Sequence, residues 1–233
     1  MNQLVKEILN LTRNYFSLRG GNPFYNHHTV FNHLAVLREG LRILNASQRL
    51  RLLDVGGGDG SFLKSIIDGC DPKLKEIFQI DVLDIAVDRA MSFENVNFRG
   101  GDICSPDLTR DVFERFDGLF SYNALEHFQD PFIAAENMVE LIVPGGLLLC
   151  STVFSWRFHP VPNDYYRFSD QALEYIFSKR NGLKTIVCGY DLSRRRENIA
   201  GGLFGDKDVP PFDLFGGFRE NWIVTYLGQK LGK

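Results

Sequence analysis

Leu50-Arg51-Leu52-Leu53-Asp54-Val55-Gly56-Gly57-Gly58-Asp59-Gly60-Ser61-Phe62-Leu63 is the stretch whose reading decides the fold. A short apolar run ends in Asp54, a knot of glycines follows, and an apolar helical pattern resumes at Phe62. A strand, a tight turn and a helix start take this form where a ligand must approach the backbone closely. Gly56, Gly58 and Gly60 accept φ values closed to other residues and carry no Cβ to stand in a ligand's way. Asp54 puts a carboxylate at the carboxyl end of its strand, which is where open α/β sheets bind ligands.

The glycine spacing discriminates between ligand classes. A dinucleotide fingerprint needs G-x-G-x-x-G, but Ser61 stands where the third glycine would be, and there is no P-loop lysine. At 233 residues the chain is long enough to bury a full core as one domain spanning 1–233. A net charge of −3 gives no electrostatic footprint for nucleic acid, and Arg194-Arg195-Arg196 reads as a solvated face. No run approaches the roughly 18 apolar residues of a membrane helix, and the start of the chain lacks signal-peptide features. Cys70, Cys104, Cys150 and Cys188 are scattered without a C-x-x-C pair, which reads as reduced thiols and a cytoplasmic location. No His/Cys cluster has the spacing of a zinc site, so no metal is expected.

Around the glycine turn the pattern alternates. Residues 1–18 and His28–Leu44 are apolar at helical spacing, giving an expected helical cap over 1–46, with a cofactor-binding core over 47–190. Ser61–Ile67 reads as the first flanking helix. Glu76–Ile80 reads as the next strand, closing at Asp81, about 20 residues past the turn, where an acidic side chain can hold a ribose. Asp84 competes for that role but reads as a helix N-cap. Strands are also expected at Val96–Arg99, Phe116–Ser121, Leu147–Thr152, Leu183–Tyr190 and Trp222–Leu227. Asp130-Pro131 is a helix start, with the helix running to Ile142, and Ser169 caps a helix over 169–178. Strands alternating with helices argue for a parallel sheet covered on both faces. Residues 191–233 hold a glycine- and proline-rich loop, expected as a lid or flexible segment, before the last strand.

Four segments carry a family resemblance. D-x-G-x-G-x-G at Asp54–Gly60, the segment Asn123-Ala124-Leu125-Glu126-His127-Phe128-Gln129-Asp130-Pro131, Pro144-Gly145-Gly146 before Leu147, and H-P-x-P-x-D-Y-x-R-F at His159–Phe168 follow one another in order. Together they resemble the class I S-adenosylmethionine-dependent methyltransferases, the last segment being similar to that of a bacterial subset. The resemblance implies a Rossmann-like three-layer sandwich. Its sheet would be mostly parallel and seven-stranded, with one antiparallel strand entering beside the fifth. It also implies S-adenosylmethionine as cofactor. Asp54, Gly56, Gly58 and Gly60 would wrap its amino-acid end, and Asp81 with Val82 would meet the ribose. Asp102 would bind the adenine amino group while Ile103 packs on the ring, and Asn123 and Glu126 would complete the pocket.

The resemblance further implies methyl transfer to a small-molecule or sugar-like acceptor, by a monomer or homodimer. An activated methyl group needs mainly an aligned, desolvated acceptor. A hydroxyl acceptor also benefits from a base, for which His159 leads and His127 follows. Asn163, Asp164, Tyr165 and Arg167 would shape the acceptor site. Alternatives are an N-methyltransferase, which needs no base, and a non-catalytic subunit retaining the fold.

Overall fold

A computed structural model of the chain describes residues 29–30, 50–68, 78–86, 96–108, 115–156, 158–160, 162–191 and 222–232. Its strands are β1 (Thr29–Val30), β2 (Leu50–Val55), β3 (Phe78–Asp84), β4 (Val96–Gly100), β5 (Phe116–Tyr122), β6 (Ile142–Ser155), β7 (Leu183–Asp191) and β8 (Trp222–Lys230). The helices are α1 (Ser61–Asp68), α2 (Pro131–Glu140) and α3 (Asp170–Leu173), which continues as a π-helical segment over Glu174–Arg180. The strands form one sheet in the order β1-β7-β8-β6-β5-β2-β3-β4. β8 runs antiparallel to both β6 and β7, and the other pairings are parallel. The expected mostly parallel sheet with its antiparallel strand beside the fifth is therefore present. A two-residue β1 is added at the edge.

Local sequence explains the elements. β2 is buried along nearly its whole length, as a continuous apolar run in a two-faced parallel sheet must be. Leu53, Val55, Leu83, Leu119, Leu148 and Tyr226 pack with Ala134 and Met138 of α2 and Leu173 of α3 on one face. Leu52, Ile80, Val82, Phe120 and Leu149 pack with Leu63 of α1 on the other. α2 starts where Asp130 accepts hydrogen bonds from the backbone of Phe132 and Ile133, both at 3.0 Å, and Pro131 occupies the first turn. Ser169 caps α3 through Ala172 N–H at 3.1 Å.

Three expectations give way. Thr29–Val30, at the start of the helix expected over His28–Leu44, form a strand paired with Gly189–Tyr190 of β7, and the rest of that helix lies outside the described residues. The helix expected to reach Ile142 stops at Glu140, because Phe116 N–H reaches Leu141 C=O at 2.8 Å and the chain joins the sheet. β3 does not close at Asp81 but runs to Asp84, because β2 pairs with it through Leu83 and β4 through Asp84. The remaining cap positions, Arg194–Arg196, Cys70 and the expected lid over 191–218 (apart from Asp191, which ends β7) lie outside the described residues.

Candidate functional site

The carboxyl edge of the sheet opens into a cavity of about 650 Å³, inside the roughly 300–1,000 Å³ range of small-ligand sites. Its floor is the glycine turn. Gly56 has φ +70° and donates its N–H to Leu83 C=O at 2.8 Å, binding the turn to the end of β3. A Cβ on Gly56 would lie 2.5 Å from that of Ala124, so the turn needs glycine there for packing. Gly58 differs: at φ +57° a Cβ would meet no atom within 4 Å, and its backbone lines the cavity. Gly60 lies off the wall, packed near Val82 and Phe98.

Asp54 stands behind the turn. It is 2% exposed, its Oδ2 has no hydrogen-bond partner among the described residues, and it does not itself line the cavity. Burial first, and the nearby Asp84 charge second, push its carboxyl up to about 7.

Asp81 and Val82 require a correction. The sequence placed Asp81 at the strand end, facing a ribose. In the structure it sits in the middle of β3, 1% exposed, and is not on the cavity wall. Its carboxylate meets Arg51 at 2.5 Å, accepts from Asn97 Nδ2 at 2.8 Å and lies 3.5 Å from Arg99. These partners come from the flanking strands β2 and β4, so Asp81 ties the sheet together. Val82, 0% exposed, is core. Three residues further, about 10 Å along a strand, is the acid that does face the cavity. Asp84 accepts from Gly58 N–H at 2.9 Å through Oδ2 and from Ala86 N–H at 2.9 Å through Oδ1. Beside it Ile85 is 64% exposed on the same wall, an apolar surface open to the cavity. Sequence weighed Asp84 and set it aside; the signal missed was that pairing with β4 carries β3 onward.

Asp102 and Ile103 also line the cavity, next to Asp84 through the Gly101 N–H to Asp84 C=O bond at 3.1 Å, and Asp102 folds its own turn through Cys104 N–H at 2.8 Å. Asn123 also lines the cavity. It holds φ +50°, donates its N–H to Ser151 C=O at 2.7 Å and leaves a buried Oδ1 with no partner among the described residues. A non-glycine residue kept at positive φ with an orphaned acceptor is a position from which a ligand donor can be met.

The far end is built from two segments. Leu125–His127 form a 3-10 turn after β5. The proline-aromatic loop after β6 lies on it, with Tyr165 and Tyr166 N–H both bound to Glu126 C=O at 2.9 and 3.2 Å. Tyr166 Oη reaches Gln129 C=O at 3.1 Å, and His127 Nδ1 hydrogen-bonds Asn163 C=O. Of the residues assigned to the acceptor, Asn163 and Tyr165 line the cavity, as do Pro160 and Pro162. Asp164 and Arg167 do not. They clamp the loop: Arg167 bonds both Asp164 oxygens at 2.5 and 2.8 Å and the Trp156 carbonyl at 3.2 Å. That pairing holds the Asp164 carboxyl down at about 2. Phe154 packs against Tyr190 and Trp222, away from the wall.

His127 is on the wall; His159 lies behind it, the ring centroids 4.9 Å apart. Asp164 accepts from His159 N–H at 2.8 Å and lies 3.2 Å from its Nδ1. Glu126 sits under both rings, 0% exposed. Its Oε2 accepts from Thr152 Oγ1 at 2.7 Å and its Oε1 has no hydrogen-bond partner among the described residues.

Comparison with known proteins agrees with this architecture. A family model described as "Methyltransferase domain" matches residues 27–181. The ubiquinone biosynthesis O-methyltransferase of Coxiella burnetii is 31% identical over 134 residues, 54% of this chain and 51% of that protein. The chain thus spans about half the length of the curated relatives it matches. Among solved structures, the YcgJ protein of Bacillus subtilis superposes with a TM-score of 0.56 at 18% identity, over 86% of this chain and 99% of that one. Phosphoethanolamine N-methyltransferase 2 of Haemonchus contortus, solved with S-adenosyl-L-methionine, superposes with a TM-score of 0.55 at 16% identity, over 86% of this chain and 52% of that one. The glycine turn at the head of a mostly parallel sheet, with a family match across most of that sheet, means that this chain belongs to the class I S-adenosylmethionine-dependent methyltransferase family.

Proposed function

We propose that the chain binds S-adenosylmethionine in this cavity and methylates an oxygen of a small-molecule or sugar-like acceptor. The observation that carries the reading is the pairing of Gly58, where a Cβ would enter open space, with Asp84 latched to its N–H. That cradle admits a ligand against bare backbone and offers it a carboxylate.

The residues fit the cofactor end to end. Gly56 and Gly58 would hold its amino-acid portion, with the Asn123 Oδ1 as an acceptor for an ammonium hydrogen. Asp84, in place of Asp81, would receive the ribose hydroxyls, and Ile85 and Ile103 would supply apolar faces for adenine, with Asp102 at its amino group. When bound, the cofactor supplies a methyl group already activated on a sulfonium. The protein's share is then orientation and exclusion of water. Phe128 and Tyr165 give the wall its apolar, water-excluding surface, and Asn163 offers polar contact to the acceptor. His127 at the wall and His159 behind it stand where an acceptor proton must be dealt with. A ubiquinone-pathway relative named as an O-methyltransferase favours oxygen over nitrogen.

The test is a thermal-shift titration with S-adenosylmethionine, S-adenosylhomocysteine and NAD. At about 100 times its dissociation constant a bound ligand stabilises by roughly 2.7 kcal/mol. Both S-adenosyl ligands are expected to shift the transition and NAD to leave it unmoved. A chain unmoved by all three refutes cofactor binding.

A further inference from the structure

We propose that Glu126, His127 and His159 form a binding site for one divalent first-row transition-metal ion at the acceptor end of the cavity. The inference deepens the methyltransferase reading, on which its chemical consequence rests.

Three observations converge. First, the ligand atoms are gathered: one from each residue, all within 4.8 Å of one another. His127 Nε2 lies 4.0 Å from Glu126 Oε1 and His159 Nε2 lies 3.8 Å from it. Those separations exceed a hydrogen bond. Both fall within the roughly 4.2 Å that two ligands on one ion at about 2.0–2.2 Å can span, and both exceed the about 3.4 Å of a tetrahedral angle, so an ion would draw the three side chains together by a few tenths of an ångström.

Second, the Glu126 oxygen between the rings is buried and has no hydrogen-bond partner among the described residues, while its other oxygen is held by Thr152. A buried carboxylate oxygen left without a partner is costly, and a cation removes that cost.

Third, the outer contacts fix the imidazoles as ligands. Asn163 C=O can only accept, so His127 Nδ1 carries the hydrogen and its Nε2 presents a lone pair. His159 Nδ1 faces Asp164 Oδ2 at 3.2 Å, which sets the same tautomer and turns its Nε2 toward Glu126. An imidazole whose far N–H is held by a carbonyl or a carboxylate is the outer arrangement of metal-binding histidines. Two such nitrogens with one carboxylate oxygen, and no thiolate, suit zinc, cobalt, iron or manganese rather than magnesium or calcium.

The sequence expectation of no metal rested on spacing along the chain. Glu126 and His127 are adjacent, and His159 arrives only because the loop after β6 is bonded onto the 3-10 turn. His127 lines the cavity, so an ion held by its Nε2 would lie beside the acceptor end of the cavity. An acceptor hydroxyl bound there loses its proton to water at a lowered pKa. Its oxygen lone pair then forms the new bond to the methyl carbon as the carbon–sulfur bond breaks. That bond's electron pair returns to sulfur, leaving a neutral thioether.

Binding is tested with Co(II) on the metal-free full chain, by visible absorption and by calorimetry. One equivalent is expected, with an absorption spectrum typical of nitrogen and oxygen ligation. His159→Ala and Glu126→Gln are each expected to weaken binding at least tenfold. Glu126→Gln keeps the shape of the side chain, and His159→Ala removes a ring 23% exposed, so folding is checked by the S-adenosylhomocysteine thermal shift. No cobalt bound by protein that still shows that shift overturns the inference, as does equal binding by wild type and both variants. Failure of the wider reading looks different, since it is the loss of the S-adenosyl ligand shift itself, whatever cobalt does.

Discussion

Two neighbouring acids on β3 separate a structural role from a ligand role, and exchanging their loss is the sharpest check on the site. Asp81→Ala removes the carboxylate that Arg51, Asn97 and Arg99 share. Taking one member from a buried ion pair costs roughly 3–5 kcal/mol, because the other charge is stranded. Arg51 is 27% exposed and can turn partly to water, so the lower end, about 3 kcal/mol, applies. In a chain of this size that is a fall of about 6–12 °C in melting temperature. Asp84→Ala removes two hydrogen bonds to backbone N–H groups at a partly exposed position and costs about 1–2 kcal/mol.

Cofactor binding should show the opposite order. Asp84→Ala loses charge-assisted hydrogen bonds to two hydroxyls at about 1.5 kcal/mol or more each, which raises Kd at least 100-fold. A ligand concentration that was 100 times Kd then equals Kd, and its stabilisation drops from about 2.7 to about 0.4 kcal/mol. The assay is a thermal-shift titration with S-adenosylhomocysteine on both variants, each measured against its own ligand-free transition. The expected result is a destabilised Asp81→Ala that keeps the full ligand increment and a near-stable Asp84→Ala that loses it. If Asp81→Ala melts like wild type and loses the increment, the placement of the two acids is refuted.

Other perturbations have equally definite outcomes. Asp54 carries a carboxyl raised to about 7, so the folded protein retains a proton that the unfolded chain releases near 3.8. The Asp54 contribution to stability should therefore be full at low pH, fall as pH rises toward 7 and then level, by about 3 kcal/mol between pH 5 and pH 8. Urea unfolding of Asp54→Asn should lack that slope, and parallel curves for the two proteins would contradict it. Gly56→Ala forces a side chain at φ +70° against Ala124 and should cost about 3 kcal/mol in stability. Gly58→Ala should cost only about 1 kcal/mol by the same denaturation assay while weakening S-adenosylhomocysteine more than tenfold, since its Cβ projects into open space beside the ligand. Lys230 closes the end of α2 by donating to Val139 C=O at 2.7 Å and Ile142 C=O at 2.8 Å. Lys230→Met should therefore lower the urea-derived stability by about 1–2 kcal/mol without touching ligand affinity.

Much of this protein was legible in order along the chain because the physics that fixes it is local. A glycine turn after an apolar run, Asp130-Pro131 at a helix start and Ser169 before α3 act within a few residues of themselves, and each does in the structure what its neighbours dictate. Alternation of apolar runs with helical spacing likewise determined a parallel sheet covered on both faces. What the tertiary structure alone decided involves partners far apart in sequence. β3 continues past Asp81 because β2 and β4 pair with it on both sides, which hands the cavity to Asp84 and leaves Asp81 inside the sheet. Thr29–Val30 becomes a strand because β7 offers an open edge. Asp164 and Arg167, plausible acceptor ligands by composition, spend their charges on one another to hold a loop. That loop carries His159 to Glu126 and His127 through backbone hydrogen bonds, which no periodicity or side-chain spacing encodes.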